Sequence, residues 1–595
     1  MHYTIDVADA HAHLYQVTLT IERPAANQRV SLPVWIAGSY MVREFSKQLT
    51  GLRATQKKRA VPITQLNKSC WQVDCSNDAP LTLHYQVHAH DDSVRTAWLD
   101  AHRGFFNGTS LCLQAQGLTD LPLVVQLSAP SATSGVQGAW QVATGLTPLK
   151  INRQGFGTYV ADDYDALVDC PVEMGAFWSG EFTVFGIPHR FVVAGAPPSF
   201  DGDRLLRDTQ SICETAIRFW HGKQHQKTPF QSYVFMLNAV GDGYGGLEHR
   251  NSTALICQRS DLPQQHQEKA GDGYTTLLGL ISHEYFHTWN VKRLRPVEFS
   301  RYDYGQENYT QLLWFFEGFT SYYDDKLLRR AGLIDDAQYL RLINKTINQV
   351  LQTPGRAVHS VAQSSFEAWT KYYRQDANSV NLTVSYYTKG ALIALCLDLS
   401  LRQHGVRNHS VSLDDVMRAL WQRCQGGPMQ EADLLAVLQT LTGRSWRKEI
   451  NAWVHGTRDL PLEKLLDAHG VGVQQDAAPL AQRLGVRVSE EHGVHIKQVL
   501  QNSAAHRAGF APGDEWLGVE VASPRQGTRA AHSSAWRLKK LDDVLLFAGK
   551  AKKITALISR DRRLLQLALT LPSAKEVTTW RLVIDDAKKV SAWLA

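Results

Sequence analysis

Cysteine is scarce and scattered: eight in 595 residues, with no Cys-x-x-Cys pair among positions 70, 75, 112, 170, 213, 257, 396 and 424. That leaves no thiolate redox or metal motif, and a cytoplasmic chain would keep these thiols reduced. Long apolar runs are absent as well. No stretch of 18 apolar residues occurs, so no membrane span is expected. The first residues, Met1-His2-Tyr3-Thr4-Ile5-Asp6-Val7, lack a basic region followed by an apolar one, and read as a strand rather than a signal peptide. Blocks of one charge are missing too. Sixty-three Lys and Arg face 57 Asp and Glu, a net charge of +6. The basic runs (Lys57-Lys58-Arg59, Lys552-Lys553, Arg562-Arg563) are short and read as solvated surface, with no nucleic-acid partner.

What is present is the composition of an ordinary globular protein, 44% apolar and 20% charged. So long a chain exceeds one hydrophobic core and calls for several domains. The expected class is multidomain α+β. Residues 1–172 read as an all-β sandwich or saddle, with period-two runs at 15–21 and 81–87 and turn signals between them. Two segments there, Trp35–Arg43 and Arg103–Thr109, are too unusual for generic strands, and packing against the following domain is the plain reading. Residues 173–475 read as mainly helical after a strand at 233–237, a glycine-dense loop at 241–249 and a strand at 252–257. Helices are expected over 205–220 and from Tyr309 to about Arg330. Beyond them the helical stretch is broken at Gly405, Gly426-Gly427-Pro428 and Gly443. Residues 476–573 alternate strands (484–488, 494–499, 515–521, 554–558, 564–571) with short helices at 503–510 and 540–548. Residues 574–595 form a tail in which Trp580–Ile584 fits one more strand.

The chemistry centres on His283-Glu284-Tyr285-Phe286-His287. Four residues turn an α-helix through about 400°, so the two imidazoles stand about 40° apart, one turn above the other. Such a pair grips one zinc ion, and Glu284 on the same flank can hold and deprotonate the attacking water. The plain alternative is a buried helix with two hydrogen-bonded histidines. A hydrolytic zinc site needs a third protein ligand. Glu317 fits: it lies 30 residues past His287, a lone charge in the apolar run Trp314–Tyr323. An unpaired buried carboxylate costs several kcal/mol, and a metal removes that cost. Pairing with an arginine is the alternative.

His-Glu-Tyr-Phe-His-Thr-Trp-Asn followed by Phe-Glu-Gly-Phe-Thr resembles the gluzincin aminopeptidases, with a longer spacer between the two helices. That spacer, together with Gly-Ser-Tyr-Met-Val-Arg, Arg-Gly-Phe-Phe-Asn-Gly-Thr and the C-terminal region, resembles the glycyl aminopeptidase family of zinc metallopeptidases. Ala508-Gly509-Phe510-Ala511-Pro512-Gly513-Asp514, set among its strands, resembles a PDZ domain of the bacterial protease-associated kind. The resemblance implies a thermolysin-like catalytic domain with one zinc per chain. It implies that Gly245-Gly246-Leu247-Glu248-His249 is the substrate-pairing strand, with Glu248 holding the free α-amine; His249 stands where these enzymes usually carry Asn. It also implies that Tyr387, in Tyr386-Tyr387-Thr388-Lys389-Gly390, stabilises the oxyanion, with Tyr386 the alternative. Peptides with a free N-terminus and a small first residue, glycine then alanine, are the implied substrates. If the PDZ-like domain binds a peptide C-terminus, Leu484-Gly485-Val486 is the carboxylate loop; simple packing is the other reading. Two other functions compete: an endopeptidase recruiting substrates through the PDZ-like domain, and a non-catalytic binding scaffold.

Overall fold

The structure is a computed structural model that describes residues 1–403, 411–522 and 533–595. The helix break expected at Gly405 lies outside the described residues. The chain divides into two compact units. One comprises Met1–Thr310, Tyr323–Ile334 and Asp414–Val437, the other Gln311–Tyr322, Asp335–Leu413 and Leu438–Ala595.

The first unit opens with the expected all-β region. Its main sheet has eight strands, flanked by two sheets of four. Strand Leu14–Ile21 pairs antiparallel with Leu81–His88, in the register Tyr15 to Val87, Val17 to Tyr85 and Leu19 to Leu83. These residues are the buried members of both period-two runs. Their fixed face holds the register, because a one-residue slip would expose the whole set. Three buried phenols, Tyr3, Tyr164 and Tyr85, donate to the carbonyls of Leu113, Cys112 and Leu111, which fixes that segment against the sheet.

The two unusual segments face the rest of this unit. Strand Arg103–Phe106 pairs with Val172–Gly175. Arg103 grips buried Glu173 with two hydrogen bonds of 2.8 and 2.7 Å. Asn107, fully buried, donates to the carbonyls of Val94 and Thr96. Trp35 donates from its indole to the carbonyl of Asp303 at 2.8 Å.

A five-stranded sheet follows, in the order Trp178–Val184, Ile187–Ala194, Tyr233–Val240, Ser252–Gln258, Gly245–Glu248. The second half of the expected glycine-dense loop is therefore a strand, and it lies at the sheet edge. It pairs antiparallel with Ser252–Gln258, Gly246 opposite Leu255 and Glu248 opposite Thr253. Helix Gly202–His221 starts at Asp201, whose carboxylate accepts from Arg204 N, and buries Leu205, Ile212, Ala216, Ile217 and Trp220. Helix Asp272–Phe286 is apolar on nearly every side and buried accordingly.

The second unit is helical, with a C-terminal sheet. Helix Leu313–Arg330 runs through Tyr322 and Tyr323, where the two units meet along the chain. It starts four residues later than expected, at Leu313 instead of Tyr309. Ser379–Gln403 is the one described stretch long and apolar enough to cross a membrane; 78% of its apolar window is buried inside the protein, as in a core helix. In the C-terminal sheet a short helix, Leu480–Leu484, replaces the expected start of a strand. Gly485 ends it with φ 73°, a conformation glycine adopts without strain, and the strand begins at Val486. Strands Val486–Ser489, Val494–Val499, Glu515–Ala522, Lys553–Arg560 and Arg563–Thr570 enclose a core that includes Ile496, Trp516, Val519, Val544 and Ile558. Asn381 ties this sheet to the helices, donating to the carbonyl of Val499 and accepting from Gln501 N. Strand Thr578–Ile584 pairs with Val471–Ala477, and helix Ala587–Leu594 buries Trp593.

Candidate active site

Helix Asp272–Phe286 carries His283 and Glu284 in its last turn, and His287 caps it with near-helical angles (φ −59°, ψ −21°). The two imidazoles are one turn apart, and their Nε2 atoms lie 3.0 Å from each other. The opposite ring nitrogens are both engaged. His287 Nδ1 meets the carbonyl of Asn290 at 2.8 Å, and His283 Nδ1 meets Asp324 Oδ2 at 3.2 Å. A carbonyl only accepts, so His287 carries its proton on Nδ1 and presents a lone pair at Nε2. The carboxylate imposes the same tautomer on His283. Two lone pairs facing each other at 3.0 Å repel unless a cation stands between them. Two ligands of a tetrahedral zinc with bonds of about 2.0–2.1 Å stand roughly 3.3 Å apart, so the pair fits that ion with little movement. The hydrogen bonds to Asp324 and the Asn290 carbonyl are of the kind that orients histidines towards a metal. Ser282 fixes the Asp324 backbone by donating to its carbonyl at 2.9 Å. The turn that presents the Asn290 carbonyl holds Val291 at φ 129°. β-Branched residues avoid that region, and holding one there costs about 1–3 kcal/mol.

Glu317 sits on helix Leu313–Arg330, seven residues and two turns ahead of Asp324. Glu248, Glu284 and His287 each offer a ligand atom, all within 4.8 Å of one another. Glu248 and Glu284 are both 5% exposed. Two carboxylates whose oxygens lie within 4.8 Å of each other repel by at least roughly 3 kcal/mol at an effective dielectric of 20.

Glycines bring the acids into place. A Cβ on Gly246 would lie 2.1 Å from Glu284 Oε1, so the edge strand touches the carboxylate through a bare Cα. Gly38, in the unusual Trp35–Arg43 segment, has φ 90°, and a Cβ there would lie 2.5 and 2.6 Å from the two Glu248 oxygens. The sequence marked that segment as odd, but held nothing to connect it with Glu248. Gly318 and Gly390 meet in the same way: a Cβ on Gly318 would lie 2.5 Å from Gly390 Cα. The glycine after Glu317 and the one three residues after Tyr387 thus let two helices cross at backbone contact. Tyr387 opens helix Tyr386–Gln403, its ring stacked on Tyr386 at 4.8 Å. Burial first, then the Glu317 carboxylate, push its phenol well above the ordinary range, so it stays protonated and able to donate.

A buried charge cluster anchors the end of the edge strand. Asp169 pairs with Lys292 at 2.6 Å, meets His249 Nδ1 at 3.3 Å and accepts from Arg250 N at 3.0 Å. Burial alone would raise the Asp169 carboxyl; Lys292, Arg250 and the His249 hydrogen bond outweigh it and hold it well below the usual range. Burial lowers the His249 imidazole, against the pull of Asp169, so the ring is neutral at pH 7. The residue that stands in place of Asn therefore belongs to this anchor. Of the proposed carboxylate loop, Leu484 is fully buried, Val486 pairs with Val499, and the Gly485 amide caps the helix by donating to the carbonyls of Ala481 and Gln482.

Residues 2–176 match the M61 peptidase N-terminal domain and residues 276–393 the M61 glycyl aminopeptidase domain. A crystal structure of an aminopeptidase N family protein from Idiomarina loihiensis is 37% identical over 100% of both chains, with a TM-score of 0.90. An M1 zinc metallopeptidase mutant from Deinococcus radiodurans is 15% identical over 78% of this chain and 94% of its own, with a TM-score of 0.48. No curated protein matches.

Proposed function

The chain belongs to the family of M61 glycyl aminopeptidases, and from that premise we propose that this peptidase is a zinc aminopeptidase removing small N-terminal residues, glycine first and alanine next. The observation that carries the zinc is the pair of imidazole lone pairs turned on one point, each ring held from behind by a hydrogen bond. His283, His287 and Glu317 would hold one ion. When bound, zinc supplies Lewis acidity and brings the pKa of its water towards about 7.

The chain's own residues do the rest. Glu284 takes the proton of the attacking water and returns it to the leaving amine. Tyr387, half-buried beside Glu317, keeps its proton and donates to the oxygen where negative charge develops. Glu248 receives the substrate ammonium, which relieves the repulsion between the two buried carboxylates and places the first peptide bond beside Glu284. Strand Gly245–Glu248 is the edge of its sheet, along which the peptide lies. The fold around Val486–Thr570 is read as a PDZ-like module, docked on the helices through Asn381.

The test is release of chromophore from glycyl-, alanyl- and leucyl-anilides, with and without a chelator, beside N-acetylglycyl-anilide. Chelator-sensitive turnover of the glycyl compound and none of the acetylated one is expected. Turnover of the blocked substrate would replace the reading with an endopeptidase.

A further inference from the structure

The free edge of strand Gly245–Glu248 is already occupied at one point. Arg95 Nη2 donates to the carbonyl of Gly246 at 3.0 Å. A Cβ on Gly245 would lie 3.6 Å from Arg95 Nη1 and 3.9 Å from Nη2, so the guanidinium stands beside Gly245 as well. Arg95 Nε is buried and meets no hydrogen-bond partner among the described residues. No carboxylate of the described residues pairs with this arginine.

The loop that presents Arg95 is rigid. Asn107 donates to the carbonyls on either side of it, Val94 at 2.9 Å and Thr96 at 3.1 Å. Thr96 Oγ1 donates back to the carbonyls of Asp91 and Ser93. The Arg103–Thr109 segment thus supplies, through Asn107, the brace for an arginine set on the substrate edge. A long flexible cation held this firmly, with nitrogens uncommitted and no acid beside it, is built for an anion that arrives from outside.

Strand geometry identifies the anion. With the substrate amine at Glu248 and its first carbonyl beside Glu284, which abuts Gly246, the remainder of the peptide runs past Gly246 towards Gly245. From Glu248 to Gly246 is two strand residues, about 7 Å. An extended dipeptide spans about the same distance from its amine to its carboxylate. We infer that Arg95 binds the C-terminal carboxylate of the substrate, and that the enzyme's preferred substrates are dipeptides with a free C-terminus. Glu248 and Arg95 measure the two ends of the ligand, and longer peptides must displace Arg95 from the Gly246 carbonyl to continue along the edge. This inference rests on the aminopeptidase reading above.

The test is calorimetric binding to zinc-loaded full-length Glu284→Gln, which holds the substrate without turnover. The ligands are Gly-Ala and its C-terminal amide. The free acid is expected to bind about 10- to 100-fold more tightly, the range of a hydrogen bond to a charged group. In Glu284→Gln/Arg95→Gln the two ligands are expected to bind within about threefold of each other. Arg95→Lys, which keeps the charge without the fork, falls between. Equal binding of acid and amide by Glu284→Gln would overturn the inference without any need for the arginine variants. Persistence of the preference after Arg95→Gln would overturn it as well. The glycyl- and acetylglycyl-anilides carry no carboxylate, so their turnover judges the aminopeptidase reading separately. Glycyl-anilide turnover with no acid preference removes the Arg95 site alone; absence of that turnover removes the reading beneath it.

Discussion

Replacing Gly38 by alanine separates two effects that glycine substitutions usually confound. Gly38 has φ 90°, a region an alanine adopts only under strain. That strain costs about 1–2 kcal/mol. Gly51 shares it, with φ 65°, but a Cβ there meets nothing within 4 Å. On Gly38 the same Cβ falls 2.5 and 2.6 Å from the Glu248 oxygens and 2.8 Å from the carboxyl carbon. Backbone and carboxylate must part by roughly an ångström, and misplacement on that scale costs about 100-fold in rate where a reacting group is being positioned. Gly38→Ala and Gly51→Ala are therefore expected to lose comparable stability in urea, about 1–2 kcal/mol each. Only Gly38→Ala is expected to lose kcat/KM on glycyl-anilide, by about 100-fold. If Gly38→Ala keeps the kcat/KM of Gly51→Ala, Glu248 does not depend on this loop and its part as the amine anchor falls.

Three further outcomes follow from the same geometry. Glu284→Gln is expected to bind zinc, measured as metal per chain, while kcat falls by about 10²- to 10⁴-fold; a fully active variant would remove Glu284 as the base. Asp324→Ala takes the carboxylate from behind His283 and is expected to weaken zinc about 10- to 100-fold in competition with a chelating dye, whereas unchanged affinity would make Asp324 a bystander. Lys389 is 2% exposed, its Nζ meets no partner among the described residues, and burial lowers its pKa from 10.5 to about 8. Between those values the unfolded chain holds the proton that the folded one has released, so stability rises with pH from about 8 to 10.5 by up to about 3 kcal/mol. Lys389→Met is expected to be more stable than the parent at pH 7 and to lose that rise in urea titrations; an unaltered pH profile would place the lysine in water.

The site is legible in the sequence where its chemistry is local. His283, Glu284 and His287 share one helical turn, so spacing alone puts the imidazoles on one face. Glu317 is legible for a different reason: a charge in an apolar run has to be compensated. The tyrosine is the harder case. Tyr386 and Tyr387 are neighbours with the same side chain, and only the crossing of Gly318 on Gly390 sets the helix at a definite depth against Glu317. Leu484-Gly485-Val486 has the alternation of a strand, which hides the true start of the C-terminal sheet at Val486. The left-handed conformation of Gly485 makes it the end of a helix instead.

What stayed hidden is the part the N-terminal β domain plays in the site. Gly38 and Arg95 belong to loops far along the chain from Glu248 and Gly246, and neither residue type announces a partner. Only their environments do: a Cα pressed on a carboxylate, and a guanidinium braced by Asn107 against a strand carbonyl. In one odd segment Gly38 brings a bare Cα to Glu248; in the other Arg103–Phe106 is a strand after all, and Asn107, which follows it, braces the loop of Arg95. On the proposed reading the two changes act at opposite ends of the substrate: a side chain at Gly38 displaces Glu248 at the amine, and an amide in place of Arg95 removes the partner of the carboxylate.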